Sequence, residues 1–101
     1  MDLNLENLEV VHNEAENRFE VWLNGQLSKL DYNRHGNTIV MMHVGVYPEH
    51  RGQGIAGKLT QVGLEYAKEK DLRVIPMCSY VAAYIRRHPQ YVELTKPHTN
   101  E

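Results

Sequence analysis

The chain has 101 residues, 42% of them hydrophobic and 24% charged, with a net charge of −2. This fits one globular domain and leaves no basic excess for a nucleic-acid partner. No apolar run nears the roughly 20 residues of a membrane span and the N-terminus lacks a secretory pattern, so a cytoplasmic chain with no membrane partner is expected.

In chain order, alternation of apolar and polar residues predicts antiparallel strands at Leu8–Val11 and Phe19–Leu23. Asn24-Gly25 is a type I′ hairpin signal, so Gln26–Tyr32 returns as a third strand before a turn at His35-Gly36-Asn37. Thr38–Val46 is the fourth strand, and its near-continuous apolarity predicts burial on both faces. Ile55, Leu59, Val62 and Tyr66 recur at helical spacing and define the apolar face of a helix reaching about Lys70. Asp71 ends it, and Leu72–Cys78 follows as a fifth strand. A strand, a helix and a strand in that order form a right-handed crossover, which lays strand five parallel to strand four. Pro76 cannot donate to a ladder and suits an edge position. Ser79 is the expected N-cap of a short helix Tyr80–Arg87, stopped by His88-Pro89. Tyr91–Leu94 is expected to add a last strand, closing a single domain over 1–94 with a frayed tail over 95–101. The class is α+β with a mixed sheet, antiparallel strands leading into one βαβ unit.

Between strand four and the long helix lies His50-Arg51-Gly52-Gln53-Gly54-Ile55-Ala56-Gly57-Lys58-Leu59. Glycines let successive amides crowd around an anion, and the helix that follows adds the positive end of its dipole. Gly52 to Gly57 meets the dinucleotide pattern G-x-G-x-x-G, but the loop from Tyr47 delays it after its strand, no acid ends the next strand, and the chain has no room for a second βαβ half. Gly52 to Lys58 meets the front of a P-loop, yet Leu59 stands where a hydroxyl should hold magnesium. Two readings of the residues remain: an anion-binding turn, or glycines required for the turn's shape alone.

Arg51-Gly52-Gln53-Gly54-Ile55-Ala56 also fits R-x-x-G-x-A and resembles the pyrophosphate loop of the GNAT acetyltransferases. The resemblance extends over roughly residues 38–91 to the very small GNAT-like enzymes. Besides the loop it rests on His43-Val44-Gly45-Val46 and on Pro76-Met77-Cys78-Ser79-Tyr80-Val81, with Gly45 standing where a bulkier residue is expected. It implies strands four and five splayed around the pantetheine arm of acetyl-CoA, with Arg51, Gly52, Gln53, Gly54, Ile55 and Ala56 on the pyrophosphate. Backbone groups near Val44 and Val46 would pair with pantetheine as a strand would. His43 would be the base that takes the ammonium proton. Cys78 would protonate the departing thiolate or attack acetyl-CoA itself.

On residue type alone, a strand cysteine is more often a small core residue and a strand histidine a satisfied polar group. Tyr80 and Tyr84 are read first as packing residues that could also stack near the cofactor, and Arg86, Arg87 and His88 as a basic end that could meet the 3′-phosphate. The six histidines are not paired on any element and Cys78 is the lone cysteine, so no metal and no internal disulfide are expected. The expectation is thus a monomeric, acetyl-CoA-dependent N-acetyltransferase acting on a free or protein-borne amine. The alternatives are a CoA-binding module without catalysis and a thiol redox protein, the latter lacking a resolving cysteine.

Overall fold

The computed structural model describes residues 4–97. Five strands form one sheet in chain order: β1 (Val11–Asn13), β2 (Arg18–Leu23), β3 (Gln26–His35), β4 (Thr38–Gly45) and β5 (Arg73–Pro76). The first four pair antiparallel, and β5 joins β4 parallel after the helix α1 (Ile55–Glu69). The short helix α2 (Ser79–Arg87) follows. The mixed α+β architecture expected from the sequence is therefore the one observed, with Pro76 on the edge strand.

Asn24 and Gly25 both have positive φ, as a type I′ turn demands, and they join Leu23 to Gln26 in register. One sheet face packs on the helices. Phe19, Val21, Leu30, Ile39, Met41 and Val74 point inward against Ile55, Leu59, Leu64 and Ala67 of α1 and Val81 and Ile85 of α2. The long helix approaches so closely that a Cβ on Gly63 would lie 2.8 Å from Leu30 Cδ2. That contact explains a glycine in the middle of a helix, where it is otherwise unfavourable.

Several elements differ from expectation. The first strand is shifted to Val11–Asn13, behind a turn of 3₁₀-helix at Leu5–Asn7. β4 is covered on one face only, since Met42 is 42% exposed and His43 is also exposed. Its apolar run reflects the packed face plus a bulge and not a doubly buried strand. The buried stripe of α1 runs through Leu59, Gly63, Leu64 and Ala67, while Val62 and Tyr66 are half-buried at its margin. Ser79 lies inside α2, whose N-cap is Cys78 with no side-chain capping bond. The segment expected as a last strand is a 3₁₀-helix, Pro89–Thr95. Pro89 supplies the fixed φ of a helical first turn, and Tyr91 is buried and donates from its hydroxyl to Glu65 Oε2 at 2.6 Å, fastening the segment to α1. The expected tail therefore begins inside this helix, and its positions 98–101 lie outside the described residues.

Candidate functional site

The site begins with a fault in the ladder. Asp31 of β3 faces His43 while the next residue, Tyr32, faces Met41, so Met42 is an extra residue on β4. A bulge of this kind bends its strand and shifts the side-chain alternation by one. Met41 belongs to the core before the bulge, Val44 and Val46 pack on the core after it, and His43 turns to the opposite face.

On its other edge β4 pairs with β5 only from Thr38 opposite Arg73 to Met41 opposite Pro76. The last tie is Cys78 N–H donating to Met41 C=O at 3.0 Å. Beyond it the chain of β5 turns into α2 and the strands part, leaving the β5-facing edge of β4 without a strand partner.

The glycine loop closes one end of this gap. A 3₁₀ turn at Pro48–His50 brings the chain from β4 to the loop, held by Tyr47 N–H on the buried Ser28 hydroxyl at 2.9 Å. The Arg51 guanidinium donates to Val46 C=O at 3.4 Å, tying the loop back to the strand end. Gly52 and Gly54 have φ of +80° and +88°, conformations that strain any residue bearing a Cβ. Gly54 is the N-cap of α1 and offers no capping side chain. The amides of Gly52 through Gly57 have no hydrogen-bond partner among the described residues, whereas the Arg51 amide already donates to Pro48 C=O at 3.3 Å. This is a row of unspent donors at a helix N-terminus, the arrangement that receives an anion.

Together these elements enclose a cleft of about 450 Å³ lined by His43, Val44, Gly45 and Val46 of the strand, by His50, Arg51, Gly52, Gly54, Ile55 and Ala56 of the loop and helix, and by Tyr80 of α2. Its size suits a small-molecule ligand. Eight of the ten residues singled out in the sequence thus share one cavity wall; Gln53 and Cys78 are not part of it. Cys78 is half-buried at the head of α2 and packs on the core. Gly45 acquires a reason: a Cβ there would lie 3.3 Å from His43 Nε2, so glycine leaves the imidazole its space.

Two lining residues were given no leading role by the sequence. Tyr80 is 37% exposed and faces the cleft, so it is not the core packing residue that its aromatic type suggested. His50 has a buried Nδ1 without a hydrogen-bond partner among the described residues. Its position at the start of the glycine stretch was the only available signal. The other basic candidates lie elsewhere: Arg86 and Arg87 are exposed near the end of α2, and His88 stacks on Tyr84 with ring centroids 3.9 Å apart. Tyr84 borders a separate hollow of about 280 Å³ with Leu5, Gly57 and Lys58, and burial raises its pKa above the usual phenol value.

Known proteins share this fold and family. The family of GCN5-related N-acetyl-transferases matches residues 18–94. Protein NATD1 from Gallus gallus is 34% identical over 95 residues, spanning 89% of this chain and 86% of its own length. Protein NATD1 from Homo sapiens is also 34% identical, spanning 84% of its length. The solution structure of a GCN5-like protein from Staphylococcus aureus superposes with a TM-score of 0.70 at 28% identity and covers 94% of both chains. With the family spanning everything from β2 to the final 3₁₀-helix, this chain belongs to the GCN5-related N-acetyltransferases.

Proposed function

We propose that this protein transfers the acetyl group of acetyl-CoA to an amine, and that the cleft at the splay is where it does so. The observation that carries the reading is that one cavity joins four residues with unspent amides, Gly52, Gly54, Ile55 and Ala56, to the imidazole of His43. The amides and the α1 dipole suit a pyrophosphate, and the orphaned His50 Nδ1 suits an oxygen of the same ligand. The open edge of β4 near Val44 and Val46 suits the amides of pantetheine, which would complete the ladder that β5 abandons. Acetyl-CoA bound in this way supplies an activated acyl carbon.

In the direct route, the amine nitrogen bonds to that carbon as the carbon–sulfur bond breaks. His43, directly or through water, takes the ammonium proton, and a second group returns a proton to the leaving sulfur. Tyr80 lines the cleft and Cys78 does not, which favours the Tyr80 hydroxyl for this second role. The covalent route instead gives the acetyl group to the Cys78 sulfur before the amine receives it.

Calorimetric titration of the full chain with CoA is the primary test. Binding is expected, and its absence at millimolar ligand would sink the reading. Turnover over a panel of amines should then fall by about 10²–10⁴ in His43→Ala, with Tyr80→Phe losing more than Cys78→Ala. An acetyl group found on Cys78 by intact mass spectrometry would favour the covalent route, and tight CoA binding without turnover on any amine would make the chain a CoA-binding module.

A further inference from the structure

At the other end of α1 lies a second hollow, larger than the cleft at about 740 Å³, between the β1–β2 edge and the helix's last turns. Its walls are His12, Phe19, Val62 and Tyr66, and two carboxylates one helical turn apart, Glu65 and Glu69, stand at its rim. The rings are already in place. His12 stacks on Phe19 with centroids 4.1 Å apart and planes 15° off parallel, and Tyr66 meets His12 edge-on at 4.5 Å. Both polar tips are pinned, with His12 Nε2 2.7 Å from the Tyr32 hydroxyl and the Tyr66 hydroxyl accepting from Arg34 at 2.8 Å. Such a wall costs little further ordering when a ligand arrives.

Its electrostatics favour one kind of occupant. Aromatic faces attract cations, and the helix terminus nearest the groove is the carbonyl end, which carries the negative pole of the dipole. Glu65 uses Oε2 for Tyr91. Glu14 lies 3.9 Å from His12 Nδ1, and against these three carboxylates stand Lys68 on the rim and Arg34 behind Tyr66. Desolvation holds His12 below the usual histidine pKa, so at neutral pH the ring adds no opposing charge.

We propose that this groove binds a small organic cation with an aryl or alkyl body, an arylalkylammonium, its apolar part against His12, Val62 and Tyr66, which cover the buried Phe19 ring, and its ammonium toward Glu65 and Glu69. The site is separate from the cleft and does not depend on acetyl transfer.

The test is a titration of the ¹⁵N-labelled full chain, followed by NMR, with 2-phenylethylammonium chloride and with 2-phenylethanol as a neutral match of similar shape at constant ionic strength. The ammonium should shift amides around His12, Phe19 and Val62 to Glu69, and the alcohol should bind about tenfold more weakly. Glu69→Lys, at an exposed position, should weaken the ammonium about tenfold while leaving the alcohol unchanged. Equal affinity for ammonium and alcohol, shifts confined to the cleft around His43 and Gly52, or an unaltered response in Glu69→Lys would each overturn the proposal.

Discussion

The two sides of the sheet are built to different standards of completeness. Across β2 and β3 the register runs unbroken from Arg18 opposite Asp31 to Leu23 opposite Gln26. Even the charge buried beside this ladder is fully met: Glu20 accepts from Arg18 at 2.5 Å, from Asn13 at 2.9 Å and from Trp22 at 3.0 Å. Across β4 and β5 the ladder lasts four pairs and stops, and the loop beyond it leaves consecutive amides unspent. Buried or crowded backbone groups need partners, so under the proposed function the open end of this ladder and the loop beside it suit a ligand with the hydrogen-bonding pattern of a peptide and the charge of a phosphate. In the function proposed, the complete side supplies stability and the incomplete side supplies binding.

Substitutions can break this division of labour. The largest effect on folding is expected from Leu30→Ala on the complete side, where a fully buried side chain touches both β4 and α1. It should cost about 2–5 kcal/mol in urea denaturation. Gly54→Ala on the open side should cost less, about 1–2 kcal/mol for a left-handed residue. CoA titration should nevertheless show binding weakened, because a Cβ is strained at the Gly54 φ of +88° and relaxing that strain re-aims the loop amides. If Gly54→Ala lowers stability as far as Leu30→Ala does, the loop is part of the folding core and the division fails.

The next effect is pH-dependent. Burial works against ionisation of Glu20, but the bonds from Arg18, Trp22 and Asn13 outweigh it and hold its pKa below the ordinary 4.5. Its contribution is complete above that value and is lost as pH falls through the depressed native value. Glu20→Gln should therefore flatten the acid limb of the stability profile and cost on the order of 1 kcal/mol at neutral pH. An unchanged acid limb in denaturation midpoints measured against pH would show that the pair is not linked to folding.

The smallest effect belongs to His12, whose pKa desolvation lowers from 6.5. The native state resists its protonation, so stability is full above 6.5 and declines as pH drops below that value toward the native pKa. His12→Phe should remove this shallow slope between neutral and mildly acidic pH while leaving CoA binding intact. A matching change in CoA affinity would mean that the two ends of α1 are coupled.

Much of the candidate site could be read from residue types, because its chemistry resides in the backbone. Gly52 and Gly54 were legible since only glycine adopts their φ freely, and Val44 and Val46 followed from the strand that precedes them. Tyr80 was obscured, because residue type assigns an aromatic side chain to packing by default and cannot tell that the neighbouring strand has parted. Cys78 shows what strand order alone leaves out: the tie of its amide to Met41 sets it at the hinge of the splay, where the two strands part.

The sequence by itself determined the α+β class, the order of the strands, the hairpin at Asn24-Gly25 and the glycine turn ahead of the long helix, because these follow from alternation, from helical spacing and from conformations that few residues can adopt. Only the tertiary structure decided where β4 bulges, that Gly63 lets α1 sit on Leu30, that Pro89–Thr95 coils instead of pairing, and that His12, Phe19 and Tyr66 enclose a second hollow. Each of these depends on which side chains from distant segments compete for the same space, and local pattern carries no record of that competition.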